Sequence, residues 1–324
     1  MYFTFQPAKI QKKTYTDQFF YENLQKKCIF IEKTPFFALF DAIFMGFSIF
    51  FCTFVVRMTE PAINIKGRLY SLASPKVMAI INATTDSFAF SCTNISEAEV
   101  LAMAAKALAE GADILDVGAC STRPGSTPVG EEEEWRRLNI ALKAIRTAYP
   151  DAVVSVDTFR SEIARRAVTE WGADVINDIS GGIGDMFTSV AELGVPYILT
   201  HNAPLEGKRP VSVEVIEYLI RKVDELHRLG VKDVIIDPGF GFNKDVAQCT
   251  ELLTHLGDLQ LIGLPVLVGL SRKSMLYKPL GVEPVSDEAL AATVEANKLA
   301  LSLGATVFRV HDVAIHRQSL IPNP

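Results

Sequence analysis

The sequence predicts an α/β protein that folds as a closed TIM (β/α)8 barrel. Eight short apolar runs, rich in β-branched residues, alternate with longer segments of helical periodicity. Eight such β-then-α units in about 250 residues match the size of a closed parallel barrel. A doubly wound open sheet is the alternative fold, and it is disfavoured because no G-x-G-x-x-G motif follows the first run.

Each predicted strand is a short, largely apolar run, which is typical of a strand buried on both faces. The runs occupy residues 77–81, 114–117, 153–156, 175–176, 197–199, 234–236, 266–268 and 307–310. Helices are predicted from Ser96 and then at 131–149, 161–171, 186–193, 212–229, 246–256 and 286–303. A small hairpin is predicted at 63–71, ahead of the barrel. Only 12 residues follow Asp312, so we expect either a very short last helix or an incomplete C-terminus.

Residues 1–57 are predicted to be an N-terminal extension, and residues 58–324 the barrel domain. The extension holds 13 of the 20 phenylalanines and a single glycine, Gly46. Its apolar stretch 36–56, broken by Asp41, is long enough to span a membrane. An anchor there would export the barrel, because lysines precede the stretch.

A membrane anchor conflicts with a barrel that has the features of a cytoplasmic enzyme. We therefore expect Met58 to be the true start and residues 1–57 to be translated upstream sequence. A real anchor is the alternative, and a cleaved signal is disfavoured because no small-residue cleavage site stands out. A membrane partner is accordingly not expected.

Charge and cysteine content exclude several classes of protein. A net charge of −6 and a pI near 5.5 argue against a nucleic-acid partner. The five cysteines are scattered and form no C-x-x-C pair, so neither a zinc site nor a disulfide framework is indicated. A reducing compartment, the cytoplasm, fits best.

Polar residues follow all eight predicted strands, at the face where parallel barrels bind ligands. Any one of them could be a helix cap, and His201 could be a core histidine, but eight polar ends together favour a binding site. A cationic group suits a phosphorylated ligand and comprises Arg123, Ser271, Lys273, Arg309 and His311. A deeper group of carboxylates and an amide suits a planar heterocycle with adjacent N–H donors and comprises Asp157, Asn177 and Asp237.

Other chemistry is less well supported by these residues. No Ser-His-Asp order or pair of glutamates stands out, so hydrolysis by those routes is not indicated. No His and carboxylate cluster suggests a tightly held metal, but a phosphorylated ligand would bring Mg²⁺. Asn82 is a possible oxygen ligand of that ion.

Seven motifs in order make the stretch from about Ile63 to Asp312 resemble the dihydropteroate synthases, pterin-binding enzymes of folate biosynthesis. The motifs are INATTDSF (81–88), DVGACSTRPG (116–125), SVDT (155–158), INDI (176–179), DPGFGF (237–242), SRKS (271–274) and RVHD (309–312). The resemblance implies a barrel enzyme that joins 4-aminobenzoate to 6-hydroxymethyl-7,8-dihydropterin diphosphate and releases diphosphate. It also implies Mg²⁺ as cofactor and a homodimer.

The resemblance further assigns roles to individual residues. It implies a pterin site formed by Asp157, Asn177, Asp237, Lys273 and Thr122. It implies a 4-aminobenzoate site formed by Arg123, Pro124, Phe242, Ser274 and Phe88. The diphosphate would be bound by Arg309, His311 and Arg123, and the metal by Asn82. The catalytic residues would be Asp157, Lys273, Arg309 and His311. The backbone N–H groups opening a helix at Ser274 are expected to receive the aminobenzoate carboxylate.

Several positions depart from the family pattern. Ala79 stands where the family usually has Gly, Thr85 where it has Pro, and Asn202 where it has Met. The stretch 89–92 replaces a Gly-rich segment. These departures keep open an inactive homologue that binds pterin without turnover. A pterin-dependent methyltransferase-type barrel is the other alternative, and it would need neither the S-T-R-P-G loop nor S-R-K-S.

Overall fold

The computed structural model describes residues 60–84, 96–120 and 128–321. The chain divides into two units between Thr59 and Glu60, and every described residue belongs to the second. No helix within these described ranges is long and apolar enough to cross a membrane. The apolar stretch 36–56 and the expected start at Met58 lie outside the described residues.

Ten strands are found in the described residues. A two-stranded antiparallel hairpin comes first, formed by β1 (Ala62–Ile65) and β2 (Arg68–Ser71). The parallel strands follow as β3 (Lys76–Asn82), β4 (Ile114–Gly118), β5 (Val154–Asp157), β6 (Val175–Asp178), β7 (Tyr197–Thr200), β8 (Val234–Asp237), β9 (Leu267–Val268) and β10 (Val307–Val310). The predicted hairpin and all eight predicted barrel strands are therefore present.

The eight parallel strands form one sheet that curls into a barrel. Their order is β8-β7-β6-β5-β4-β3-β10-β9, and a bridge between Ile236 and Val266 joins the two edges. β9 contributes only two residues, and a Gly-Leu-Pro turn precedes it. The predicted TIM barrel is confirmed.

Helices connect successive strands and cover the outside of the barrel. They are α1 (Glu97–Ala109), α2 (Glu131–Ala148), α3 (Ser161–Trp171), α4 (Met186–Leu193), α5 (Val211–Arg228), α6 (Val246–Thr254), α7 (Ser274–Tyr277), α8 (Asp287–Ser302) and α9 (Val313–Leu320). Ser96, where the sequence predicts the helix to begin, caps α1 through a capping box with Glu99. The segment predicted as one helix over 246–256 instead ends at Thr254 and continues as a 3-10 helix, Leu256–Ile262. The last helix, α9, is short, at eight residues.

Two apolar cores account for the apolar residues on both faces of the strands. Residues that alternate along each strand, such as Val77 and Ala79, pack outward against the helices. The intervening residues point into the barrel and form a second cluster with Ile63, Ile65 and Leu72 of the hairpin region. We call this inner cluster the barrel plug; its strand members are Met78, Ile114, Val175, Ile198, Ile235, Leu267 and Val307. The hairpin thus closes the N-terminal end of the barrel, and the opposite end remains for a ligand.

Candidate functional site

The barrel interior changes from apolar to polar toward the C-terminal ends of the strands. Side chains two positions apart on a strand point to the same face. On five strands, the residue two positions after a member of the barrel plug is polar: Asp116, Asn177, Thr200, Asp237 and Arg309. These side chains therefore lie inside the barrel, directly above the plug, where the sequence predicts the deep subsite.

Arg309 lies at the centre of this polar layer. Its Nε donates to Oδ2 of Asp116 and its Nη2 to Oδ2 of Asp157, each at 2.6 Å. Asn177 donates its side-chain N–H to the same Asp116 oxygen at 3.1 Å. The strand pairing sets Asp157 beside Asn177 on adjacent strands. Four strands thus supply one connected group of two carboxylates, an amide and a guanidinium.

Burial controls the electrostatics of this group. Desolvation raises the pKa of Asp157 to about 7; Arg309 opposes that change and the neighbouring carboxylate of Asp116 adds to it. Burial works against the charge of Arg309, but Asp116 and Asp157 raise its pKa, so the guanidinium stays charged. One Asp116 oxygen, Oδ1, is buried without a hydrogen-bond partner among the described residues. A buried acceptor of this kind is suited to a ligand N–H group.

A second part of the site follows β8. Asp237 ends that strand, and its Oδ1 accepts a hydrogen bond from the backbone N–H of Gly239 at 2.7 Å. Lys273 lies over the ring of Phe242, with its Nζ 4.7 Å from the ring centroid. Burial raises the pKa of Asp237 and lowers the pKa of Lys273. An acceptor, a cation and an aromatic face are therefore grouped beside the interior layer.

The remaining described site residues lie at the rim. His311 follows β10, and its Nδ1 is 3.0 Å from the hydroxyl oxygen of Ser271. Asn82 ends β3 and is exposed. Ser274 begins α7, but α7 has only four residues. One turn provides little helix dipole, and the expectation that its opening N–H groups receive a carboxylate stays a prediction.

The predicted site residues fall into three sets. The structure brings together Asp157, Asn177 and Arg309, and it brings Asp237 close to Lys273 through the electrostatic contact between them. The roles inferred for them, and for the rim residues His311, Asn82 and Ser274, stay predictions. Phe88, Thr122, Arg123 and Pro124 lie outside the described residues.

Sequence reasoning missed two groups. Asp116 lies inside a quoted motif but was given no role, although it contacts both Arg309 and Asn177. Its inward direction follows from Ile114, two residues earlier in the same strand. Lys244 and His201, which contact each other at 2.9 Å in the interior, were also missed as a pair. Nothing in their sequence positions, 43 residues apart, indicates that contact.

Comparison with known proteins agrees with this geometry. A family model described as "Pterin binding enzyme" matches residues 78–311. The chain belongs to this family. A dihydropteroate synthase from Streptococcus pyogenes serotype M18 is 38% identical over 251 residues, which cover 76% of this chain and 94% of the relative. A solved structure of the Xanthomonas albilineans dihydropteroate synthase with 4-aminobenzoic acid matches with a TM-score of 0.73 at 38% identity, covering 81% of this chain and 96% of that one.

The family also contains a relative that is named as inactive. A Mycobacterium bovis protein named "Inactive dihydropteroate synthase 2" is 36% identical over 259 residues, covering 75% of this chain and 80% of the relative. Membership of the pterin-binding family therefore leaves turnover to be argued from the site itself.

Proposed function

We propose that the protein is a transferase of folate biosynthesis that joins 4-aminobenzoate to 6-hydroxymethyl-7,8-dihydropterin diphosphate. The products are 7,8-dihydropteroate and diphosphate. The observation that carries the proposal is the buried polar layer of Asp116, Asp157, Asn177 and Arg309 in a pterin-binding barrel. A protein that only needed a stable core would gain little from two carboxylates there, because burying charged groups costs desolvation energy even when they are paired.

The deep layer suits the pterin ring. A pterin presents adjacent N–H donors along one edge, and carboxylates accept such donors as a group. Asp237 has one oxygen bound to Gly239 and offers the other to the ligand. Asn177 can both donate and accept. Lys273, held over Phe242, adds a donor on the same side.

The reaction exchanges one bond at the pterin methylene carbon. The C–O bond to diphosphate breaks with both electrons leaving on oxygen, and the amine nitrogen of aminobenzoate forms the new C–N bond. The amine then loses a proton to solvent or to the departing diphosphate. Positive charge develops on the methylene as the C–O bond breaks, and the carboxylate of Asp157 stabilises it. Arg309 and His311, on and after the eighth barrel strand, are assigned to the diphosphate.

Mg²⁺ is the proposed cofactor. The ion takes oxygen ligands, and it commonly binds through one or two protein groups together with substrate phosphates. The described residues contain no cluster of three or more His, Cys, Asp or Glu side chains, so they offer no cage made by protein alone. Asn82, exposed at the end of β3, fits as a single amide-oxygen ligand. When bound, the ion would neutralise charge on the leaving diphosphate.

The aminobenzoate is assigned to the rim. Phe242 provides an aromatic face next to the pterin side. Ser274, Arg123, Pro124 and Phe88 are assigned to the same pocket from the family motifs. We further propose that the enzyme works in the cytoplasm, as the scattered cysteines indicate, and as a homodimer, as the resemblance to the family implies.

An inactive pterin-binding homologue is the second candidate. It is favoured by the relative named inactive and by the altered stretch 85–92. Diphosphate release separates the two candidates. The synthase should release diphosphate only when pterin diphosphate and 4-aminobenzoate are both present with Mg²⁺. An inactive homologue would bind pterin and release none, and a hydrolase would release diphosphate without the amine.

A further inference from the structure

Lys244 is a buried lysine with no role in the proposed reaction. It lies between the turn after β8 and helix α6, and only 8% of the residue is exposed. Its Nζ contacts Nδ1 of His201 at 2.9 Å and the carbonyl oxygens of His201, Gly239 and Phe242 at 3.3, 3.0 and 3.1 Å. Four acceptors converge on one nitrogen atom.

This arrangement requires a positively charged donor. Burial and the neighbouring Lys244 lower the pKa of His201 to about 3, so its ring is neutral and Nδ1 accepts. Three carbonyl oxygens cannot bond to one another, and burial without a donor would leave them unsatisfied. Burial lowers the pKa of Lys244 to about 8, and the carboxylate of Asp237 opposes that change. The lysine is therefore an ammonium at neutral pH.

The ammonium fixes the turn that follows Asp237. Gly239 and Phe242, two of its acceptors, bracket the turn. Gly239 donates to Asp237, and Phe242 lies under Lys273. Gly239 has a φ of +70°, and a Cβ there would lie 2.0 Å from the carbonyl oxygen of His201, so the turn is pressed against the end of β7.

A neighbouring contact ties the same two strand ends. Asn243 donates from Nδ2 to Oδ1 and the backbone oxygen of Asn202, at 2.8 and 3.1 Å. Asn202 in turn donates to the carbonyl oxygen of Ile179, after β6, at 2.8 Å. The pairs 201–202 and 243–244 thus join the ends of β7 and β8 side by side.

We propose that Lys244 is a positioning residue: its ammonium holds Asp237 and Phe242 in the geometry that binds pterin and aminobenzoate. The inference deepens the proposed function and rests on it for the turnover measurements. Lys244 acts through the backbone of the turn, because its ammonium is enclosed by four protein acceptors.

The test compares Lys244→Met, which keeps most of the volume and removes the charge, with Lys208→Met. Lys208 is an exposed lysine on the preceding loop, paired with Glu206, and serves as the control. We expect Lys244→Met to weaken the affinity for pterin, measured by calorimetry, by about tenfold or more, because the acceptors of the turn lose their common donor. KM for 4-aminobenzoate should rise as well, and the control should change neither quantity.

The pH profile distinguishes positioning from a merely structural role. Groups facing Lys244 are His201 after β7, Asp237 from β8, Cys249 from α6 and Lys273 from the turn after β9. Wild-type kcat/KM should fall above pH 8, and this fall should be absent from Lys244→Met and present in Lys208→Met. A fall that persists in Lys244→Met belongs to another group, such as Lys273, and would overturn the proposal.

The experiment distinguishes a variant that fails to fold from a wild-type protein that has no synthase activity. If Lys244→Met does not fold, Lys244→Gln keeps two N–H donors without the charge, and it should show the same loss of the alkaline fall. If the wild type does not turn over, the proposed function fails, yet calorimetry with pterin alone still tests the positioning role. Wild-type pterin affinity in folded Lys244→Met or Lys244→Gln would refute it.

Discussion

Replacing Asp116 by asparagine should move the acid limb of the pH profile to lower pH. The two hydrogen bonds from Arg309 reach Asp116 and Asp157, each over 2.6 Å. Because both donors belong to one rigid guanidinium, the accepting oxygens lie within about 7 Å of each other. Asp116 is one of the groups that raise the pKa of Asp157. The substitution removes that charge and leaves the shape nearly unchanged.

The size of the effect follows from that separation. Two unit charges about 7 Å apart at an effective dielectric constant of about 20 repel by roughly 2 kcal/mol. That energy corresponds to about 1.5 pH units in the midpoint of a titration. In the wild type the pKa of Asp157 is about 7. If ionised Asp157 is needed, kcat/KM for pterin diphosphate falls as the pH drops through 7, and in Asp116→Asn it should fall near pH 5.5.

Steady-state kinetics between pH 5 and pH 9 would measure both midpoints, each relative to the variant's own plateau. Asp151→Asn, at an exposed carboxylate between α2 and β5, is the matched control and should keep the wild-type midpoint. The plateau itself should drop in Asp116→Asn, since Arg309 then donates to a neutral amide oxygen and no longer to a carboxylate, at a cost of about 1–2 kcal/mol. A midpoint that stays near 7, or moves upward, would refute the coupling of the two carboxylates.

Two further predictions rest on single buried groups. Asp237→Asn should reduce pterin affinity by roughly tenfold to a hundredfold, because its oxygen would keep the bond to Gly239 and turn its amide N–H group toward ligand donors; unchanged affinity by calorimetry would remove Asp237 from pterin recognition. The neutral His201, with a pKa near 3, should make the wild type lose stability as the pH falls below the unfolded value of about 6.5, by roughly 2 kcal/mol at pH 5 relative to pH 7. Denaturant unfolding of the wild type and of His201→Gln between pH 5 and pH 7 measures the loss, because titrations of other groups, including Asp157, contribute equally to both proteins. Equal slopes of the unfolding free energy against pH in the two proteins would contradict the prediction.

The fold was predictable because the apolar residues of each strand indicate that both of its faces are buried. Val77–Ile81 is apolar at every position, and Val307–Val310 at every position except Arg309. The structure buries Val77 and Phe308 against the helices and Met78 and Val307 in the barrel plug. Polar residues at the strand ends predicted the face that holds the site. The same reasoning could have placed Asp116 in the site, because its side chain points to the same face of the strand as that of Ile114.

Contacts between segments distant in the chain could not be predicted from the sequence. The ion pair between Arg309 and Asp116 joins residues 193 positions apart. The contact between Lys244 and His201 depends on the path of the turn after β8. The sequence also did not indicate how short α7 is. Ser274 follows a helical start signal, but the chain makes a single turn there and then a loop before α8.

The central claim is that the barrel makes a carbon–nitrogen bond and does not simply bind or hydrolyse a pterin. The direct measurement uses 4-aminobenzoate labelled with ¹⁵N in its amine, together with pterin diphosphate and Mg²⁺, and follows diphosphate and labelled product together. The account predicts labelled 7,8-dihydropteroate in an amount equal to the diphosphate released. Diphosphate released without labelled product, or neither one formed while pterin still binds, would contradict it.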